Sequence, residues 1–106
     1  MTRRIVFAPE ARADLRELYL FIAAHSGDAR ALGYVSRIEA FCRGFGDVPE
    51  RGTRRDDLRP GLRTVGFERR VTLAFTVTAD AVVFLRILYG GRDLHATFAD
   101  RNGDDA

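Results

Sequence analysis

The chain has 106 residues, of which 46% are apolar, so it can form one domain with a modest hydrophobic core and is not a disordered chain. No apolar run approaches the roughly 18 residues of a membrane-spanning helix, and the N-terminus lacks the apolar stretch and cleavage site of a signal peptide. We therefore expect a cytoplasmic protein that does not associate with membranes. The single cysteine, Cys42, excludes a disulfide framework within the chain.

The charge of the chain is small in total but unevenly distributed. The formal net charge is +2, and all 17 cationic side chains are arginines, whose planar fork of donors suits carboxylate and phosphate groups. Residues 51–70 carry seven arginines against three acids, a local charge of +4, whereas residues 100–106 carry three aspartates against one arginine, a local charge of −2. The basic segment fits nucleic acid, an acidic protein partner or simply a solvated surface.

The first half of the chain predicts one strand followed by two helices. Ile5 and Phe7 recur at a spacing of two, which suits a short strand. Residues 9–25 and 28–45 each carry apolar side chains at helical spacing, and the second of these stripes is sustained along the whole segment. Because the break between the two segments is so short, we expect the helices to form an antiparallel hairpin.

The second half of the chain predicts a loop, three strands and a short helix. Residues 46–61 are rich in glycine, proline and charge, as expected of a loop. Residues 62–67 and 71–77 follow as strands, the second with one apolar face. Residues 82–89 are almost continuously apolar, which predicts a strand covered on both faces. Residues 93–99 are expected to form the short terminal helix.

These elements predict an α+β fold in the order β-α-α-β-β-β. The N-terminal helical hairpin is expected to pack on one face of a mainly antiparallel sheet. We expect a single domain over residues 1–99, followed by an acidic and flexible tail over residues 100–106.

The sequence gives no sign of a metal site or a bound cofactor. His25, His95 and Cys42 lack the spacing of metal ligands. The glycine pair at 90–91 follows a strand, but no glycine-rich phosphate-binding motif accompanies it. We therefore expect neither a metal nor a cofactor.

Three segments carry motifs whose order and spacing are more specific than each motif alone. Residues 7–15 contain Phe-Ala-Pro-Glu-Ala followed by Asp-Leu, and the loop ends at 55–63 in Arg-Asp-Asp-Leu-Arg-Pro-Gly-Leu-Arg. Residues 85–93 read Leu-Arg-Ile-Leu-Tyr-Gly-Gly-Arg-Asp. Together these segments resemble toxins of the RelE/ParE superfamily, in particular its ParE branch, and the resemblance extends over residues 3–98.

The resemblance implies the toxin component of a type II toxin–antitoxin system, held inactive by a cognate antitoxin. ParE-like toxins act on DNA gyrase and are not known as nucleases, so it implies growth arrest and plasmid stabilisation through gyrase inhibition by binding. The expected partners are the antitoxin and gyrase, with specific DNA contacts only through the antitoxin complex. Two alternatives stay open: a RelE-like ribosome-dependent mRNA endoribonuclease, and a non-toxic binding module on the same fold.

The sequence contains only some of the residues that a ribonuclease site requires. Such a site needs a general acid or base and cations aimed at the phosphate. RelE-like sites are typically rich in lysine and commonly use a tyrosine in the C-terminal helix, and this chain offers neither. If the chain is a nuclease, the candidate catalytic residues are Arg63, Arg70, Arg86, Arg92 and His95, with the first three converging in a groove on the sheet. If it binds its target instead, the expected target-binding residues are Arg63, Arg70, Arg86, Tyr89 and Arg92.

Structural roles for the same residues are equally open. Arg86 interrupts an apolar strand and is a candidate for an ion pair with an acid such as Asp93 or Glu39. Tyr89 fits an aromatic residue at the edge of the core, and His95 fits a surface residue.

The first predicted helix carries more apolar surface than one stripe requires. Leu20 and Phe21 widen its apolar arc, and extra apolar surface on a small protein often marks a partner site. We expect an amphipathic antitoxin helix to lie there and the antitoxin tail to add a strand to an open sheet edge. Acidic antitoxin residues would match the arginines of 51–70. The expected antitoxin-binding residues are Leu18, Phe21, Ile22, Arg54, Arg55 and Arg59.

Overall fold

The computed structural model describes residues 2–90 and 94–98, and in that part of the chain two helices and five strands follow the predicted order with one strand added. The elements are β1 (Arg4–Phe7), α1 (Pro9–Ser26), α2 (Asp28–Arg43), β2 (Thr53–Arg54), β3 (Arg63–Phe67), β4 (Val71–Val77) and β5 (Ala81–Tyr89). A single 3-10 turn over Gly44–Gly46 follows α2, and residues 94–98 are helical.

The strands form one sheet in the order β1-β5-β4-β3-β2. β1 runs parallel to β5, pairing Arg4 with Ala81 and Phe7 with Phe84, while the other neighbours are antiparallel. The predicted α+β fold with a mainly antiparallel sheet is therefore confirmed. The edge strand β2 lies inside the segment that was expected to be a loop, and its two residues are too few to show an alternating pattern.

The helical hairpin packs on one face of the sheet and encloses the main core. The ring of Phe45, which follows α2, lies 5.1 Å from Phe75 of β4 and 5.4 Å from Phe84 of β5, and all three side chains are fully buried. Such edge-on ring contacts add to the stabilisation that burial itself provides. The chain reverses between the helices at Gly27, whose φ of 94° lies in the region that glycine enters without a steric penalty.

The opposite face of the sheet is covered by the segment between α2 and β3 and by residues 94–98. Leu58, Leu62 and Phe98 pack there with Ala74 of β4, and Leu85 of β5 lies against them. β5 is therefore covered on both faces, as its continuous apolar sequence predicted.

Three of the predictions made above fall on parts of the chain that are not described. The acidic tail over residues 100–106 lies outside the described residues, as do Arg92 and Asp93. Within residues 2–90 and 94–98, no helix has the length and apolar character needed to cross a membrane.

Candidate functional site

Asp14 and Arg86 form a buried ion pair between α1 and β5. The Asp14 carboxylate accepts hydrogen bonds from Nε and Nη2 of Arg86 at 2.8 and 3.0 Å, and from the backbone N–H of Ile87 at 2.8 Å. Only 3% of the Asp14 side chain and 27% of the Arg86 side chain are exposed. The hydrogen bonds to Asp14 raise the pKa of Arg86, so its guanidinium is charged and held in one place.

The position of this pair follows from where β1 ends. β1 pairs with β5 only as far as Phe84, and beyond that point the described residues supply no further strand on this side of β5. The N–H of Ile87 therefore finds its acceptor on α1, in Asp14. The expectation that Arg86 forms an ion pair holds, and its partner is Asp14 and not Glu39, because a pair 72 residues apart in sequence is joined only by the fold. The other acid considered, Asp93, lies outside the described residues.

The three arginines expected to converge in one groove lie at three separate places. Arg63 lines a cavity beside the β4–β5 turn and donates from Nη1 to the carbonyl oxygen of Arg51 at 3.3 Å. Arg70 lines a cavity at one end of the helical hairpin, and Arg86 lines a third cavity between α1 and residues 94–98. The prediction of a shared groove is wrong, because Arg63 begins β3 whereas Arg70 lies at the opposite end of the β3–β4 pair.

Neither His95 nor Cys42 provides a reactive group beside these arginines. His95 is exposed and lies near Asp57, whose pKa is lowered mainly by the hydrogen bond from Arg55. Burial raises the pKa of the Cys42 thiol to about 12, so it is not a nucleophile at neutral pH. Among the residues that the structure describes, no group of three or more potential metal ligands comes together.

The arginines between α2 and β3 are engaged mainly with their own neighbours. Arg54 pairs with Asp56 at 2.9 Å, and Arg55 pairs with Asp57 at 3.1 Å. Arg59 is half-buried, and its Nη1 atom is buried without a hydrogen-bond partner in the described part of the chain. This segment therefore presents less free positive charge to a partner than its composition suggests.

The apolar side chains of α1 divide into an exposed and a buried group. Leu20 and Phe21 are 59% and 50% exposed, so they form the apolar surface that the sequence predicted. Leu18 is only 4% exposed and belongs to the main core, because it lies on the side of α1 that packs against the sheet. Leu18 is therefore not part of the surface that was proposed for the antitoxin.

A cavity of about 440 Å³ opens at the end of the helical hairpin, bounded by both helices, the β3–β4 turn and the end of β5. Two residues of the expected antitoxin set, Phe21 and Ile22, meet there with two residues of the expected target set, Arg70 and Tyr89. We call this cavity the hairpin-end pocket. The lining residues on which its chemistry depends are Phe21, Arg30, Tyr34, Arg37, Arg70 and Tyr89.

Aromatic rings form a wall of the hairpin-end pocket. The ring centroid of Tyr89 lies 5.9 Å from that of Phe21 and 6.4 Å from that of Tyr34, and the guanidinium of Arg37 lies 5.1 Å from the Tyr34 ring centroid. The Tyr34 hydroxyl is buried, and no described residue forms a hydrogen bond with it. Burial and the nearby Glu68 carboxylate raise the pKa of Tyr34.

Sequence reasoning missed two residues of this wall. Tyr34 is one of the residues in the apolar stripe over residues 28–45, and that pattern assigns it no role in a site. The available signal was the spacing of three residues between Tyr34 and Arg37, which places the two side chains on one face of a helix.

The β3–β4 turn that borders the pocket has an unfavourable backbone conformation. Glu68 and Arg69 have φ values of 49° and 62°, in the left-handed region that such residues seldom adopt. The N–H of Arg70 donates to the carbonyl of Phe67 at 3.2 Å, closing a β-turn within the three-residue connection between β3 and β4, and both central residues of that turn have positive φ. The turn places the Glu68 carboxylate against Arg37, which donates two hydrogen bonds to it at 3.0 and 3.1 Å.

Comparison with known proteins identifies the family. A model of the ParE toxin of the type II toxin–antitoxin system parDE matches residues 5–94. Toxin ParE3 of Caulobacter vibrioides is 31% identical over 93 residues, which cover 88% of this chain and 92% of that protein. The fold and these matches define a toxin of a type II toxin–antitoxin system.

Two solved structures share the fold. The chromosomal ParDE system from P. aeruginosa contains a chain that matches with a TM-score of 0.73 and 27% identity, covering 84% of this chain and 97% of that one. The RelBE2 toxin–antitoxin complex from Mycobacterium tuberculosis matches with a TM-score of 0.60 over 84% of this chain and 99% of that one, and its identity of 18% shows the fold alone. This chain belongs to the ParE toxin family.

Proposed function

We propose that this chain is a ParE-type toxin that inhibits DNA gyrase by binding, in the cytoplasm, and that a cognate antitoxin neutralises it. The observation that carries the proposal is the match of the ParE toxin model to residues 5–94, nearly the whole chain. Gyrase is the target that the ParE resemblance implies.

The placement of the arginines favours binding over chemistry. A ribonuclease site must direct several cations and a general acid or base at a single phosphate. Here the guanidinium of Arg86 is held by Asp14, and Arg63 and Arg70 line different cavities. Two of the five N–H donors of Arg86 are engaged by Asp14, which fixes the guanidinium away from the other two arginines.

The exposed apolar side chains of α1 support a protein partner. Leu20 and Phe21 are at least half exposed on a helix that otherwise packs against the sheet, and such a surface fits the apolar face of an amphipathic helix. The solved relatives come from a ParDE system and a RelBE2 toxin–antitoxin complex, so their toxins have antitoxin partners. We expect a cognate antitoxin for this chain to cover the same end of α1.

The first test is pulse-labelling of DNA and protein synthesis in cells just induced to express this chain alone. We expect incorporation of labelled thymidine to fall first while incorporation of labelled methionine continues. An early collapse of methionine incorporation would instead indicate an endoribonuclease. Unchanged growth and labelling would indicate a binding module without toxicity.

A second test uses purified components. We expect the chain to inhibit supercoiling of relaxed plasmid by DNA gyrase, and we expect prior mixing with the antitoxin, sought in the adjacent gene, to abolish that inhibition. A heat-unfolded sample of the same chain is the matched control. Supercoiling that proceeds at the control rate would exclude gyrase as the target.

A further inference from the structure

A cavity of about 320 Å³ opens beside the β4–β5 turn, at the end of the sheet opposite the hairpin-end pocket. Three of its lining residues are arginines at strand ends: Arg3 directly precedes β1, Arg54 ends β2 and Arg63 begins β3. Glu50 is the one acid among the described residues that line it. We call this cavity the sheet-end cavity, and its lining is mainly cationic.

Two of these arginines are held in place without being neutralised. Arg3 donates from Nε to the carbonyl oxygen of Thr78 at 2.9 Å, and Arg63 donates from Nη1 to the carbonyl oxygen of Arg51 at 3.3 Å. Neither arginine forms an ion pair with a carboxylate in the described part of the chain. A backbone carbonyl fixes a guanidinium but carries no net charge, so each keeps its full charge and most of its five N–H donors.

The third arginine lies where the sheet repels it. Arg54 and Arg63 are directly opposite each other in the β2–β3 pair, and like charges in that position destabilise a sheet. Asp56 pairs with Arg54 at 2.9 Å, but 64% of the Arg54 side chain and 49% of the Asp56 side chain are exposed, and such pairs contribute little. An anion bound between the two guanidinium groups would remove the repulsion.

The row of arginines continues along the same end of the sheet. A neighbouring cavity of about 510 Å³ shares Arg3 and Ala79 with the sheet-end cavity and is also lined by Arg4 and Asp80, whose contact is long, at 3.6 Å. Neighbouring strands lie about 4.8 Å apart, so the three strand spacings from β1 to β3 cover roughly 14 Å. A DNA duplex carries one negative charge per about 1.7 Å of its axis, so a row of this length reaches several phosphates.

The rest of the lining favours a nucleic acid over a protein segment. Val77 is the one bulky apolar side chain among the described residues that line the two cavities, and none of them is aromatic. Protein partners are anchored mainly by bulky side chains in apolar pockets, whereas phosphates require only cations and N–H donors. Single-stranded nucleic acids are commonly bound by stacking their bases on aromatic rings, which are lacking here. The ligand that fits best is therefore the backbone of a duplex.

We propose that the sheet-end cavity and its neighbour bind the phosphate backbone of duplex DNA without reading its base sequence. One phosphate lies between Arg54 and Arg63, and Arg3 and Arg4 contact the phosphates beside it. Glu50 lines the same cavity and limits the affinity.

The inference goes beyond the proposed function and does not depend on it. DNA binding is measured on the purified chain without gyrase and without an antitoxin. A failure of gyrase inhibition and a failure of this inference are therefore separate results.

The test titrates a short, fluorescently labelled DNA duplex of mixed sequence with the purified chain and follows the anisotropy at several sodium chloride concentrations. We expect saturable binding that weakens with salt. The logarithm of the binding constant should fall against the logarithm of the salt concentration with a slope of about −2 to −3, because each neutralised phosphate contributes about −0.9. One labelled strand of the same duplex and labelled polyglutamate are the alternative probes.

Four variants of the chain locate the binding. Arg3→Gln and Arg63→Gln should each weaken the duplex by about threefold to tenfold and reduce the salt slope by about 1. Glu50→Gln should tighten binding by about twofold or more, because it removes the acid from the lining. Arg16→Gln is the matched control, since Arg16 is exposed on α1 and lines neither cavity. Urea denaturation of each variant establishes that it is folded, and Arg3 and Glu50 lie outside the buried core.

Duplex binding that is weakened in Arg3→Gln and Arg63→Gln, tightened in Glu50→Gln and unchanged in Arg16→Gln supports the inference. An equal loss in Arg16→Gln overturns it, because net charge alone then explains the binding. Unchanged affinity in both Arg3→Gln and Arg63→Gln also overturns it. Tighter binding of polyglutamate than of the duplex assigns the site to an acidic protein instead, and tighter binding of the single strand excludes the duplex. The absence of saturable binding by the duplex overturns the inference as well.

Discussion

The Asp14–Arg86 pair and the hairpin-end pocket both contain arginine side chains, but the arginines differ in whether the fold supplies their partners. At Asp14–Arg86, the carboxylate receives three donors, two from the guanidinium and one from the Ile87 backbone. At the hairpin-end pocket, Arg70 lacks a described carboxylate partner and the Tyr34 hydroxyl lacks any described partner. The first site is satisfied within the fold, and the second has donors that the described residues do not satisfy. Both sites contain arginine, so the residue type does not distinguish them. They are distinguished by whether each hydrogen-bond donor and acceptor has a partner among the described residues.

Removal of the Asp14 carboxylate should have the largest effect. In Asp14→Ala, the partly buried Arg86 loses its counter-charge and the Ile87 N–H loses its acceptor, so we expect the free energy of unfolding to fall by about 3 kcal/mol. Urea denaturation followed by circular dichroism measures the change. Arg70→Ala is the matched control at the other site, and we expect it to stay within about 0.5 kcal/mol of the parent chain. A loss below 1 kcal/mol in Asp14→Ala would mean that the pair does not stabilise the fold.

Replacing Arg69 by glycine removes the unfavourable backbone conformation at the β3–β4 turn. We expect this change to stabilise the fold, by less than the loss expected for Asp14→Ala. Glycine adopts a φ of 62° without a steric penalty, so Arg69→Gly should be more stable than Arg69→Ala by about 1 kcal/mol. The alanine variant is the control because it removes the same guanidinium and retains Cβ. Thermal or urea denaturation of both compares them directly. Equal stability would show that the turn relaxes at little cost when the arginine is replaced.

The smallest expected effect is the acid titration of Glu68 at the pocket rim. The hydrogen bonds from Arg37 lower the pKa of Glu68, so the pair contributes stability that is complete above the ordinary glutamate pKa of about 4.3 and is lost as pH falls through the lower value. A carbon-13 titration of the Glu68 carboxyl should give a midpoint below that of glutamate in a peptide. Arg37→Gln should return the midpoint to the ordinary value. A midpoint at or above that value in the parent chain would contradict the contact.

The secondary structure was largely predictable because its signals are local. The apolar stripes over residues 9–25 and 28–45 identified both helices, and the alternating and continuous apolar runs over 71–77 and 82–89 identified β4 and β5. The strand β2 was not predictable, since two residues carry no periodicity. The parallel pairing of β1 with β5 was not predictable either, because it joins residues from opposite ends of the chain.

The candidate site was predictable only in pieces. Phe21 and Tyr89 were singled out from the sequence, but they were assigned to different partners, and only the fold places their rings 5.9 Å apart. The ion-pairing of Arg86 could be expected from a charge within an apolar strand, whereas its partner depends on where β1 stops and α1 begins. Tyr34 was not predicted to belong to a site, because helical spacing reveals which face a side chain occupies and not whether its hydroxyl finds a partner.

The parallel pairing of β1 with β5 determines when the fold of this protein can be completed during its synthesis. Arg4 pairs with Ala81, which lies 81 − 4 = 77 positions later in the chain, so the first strand stays unpaired until the last one has been made. A ribosome that adds about 5–20 residues per second needs roughly 4–15 s to cover that distance. The hairpin-end pocket takes Tyr89 from the end of β5, so it does not exist on the nascent chain. A partner that recognises this pocket therefore meets the protein only after translation has reached the final strand.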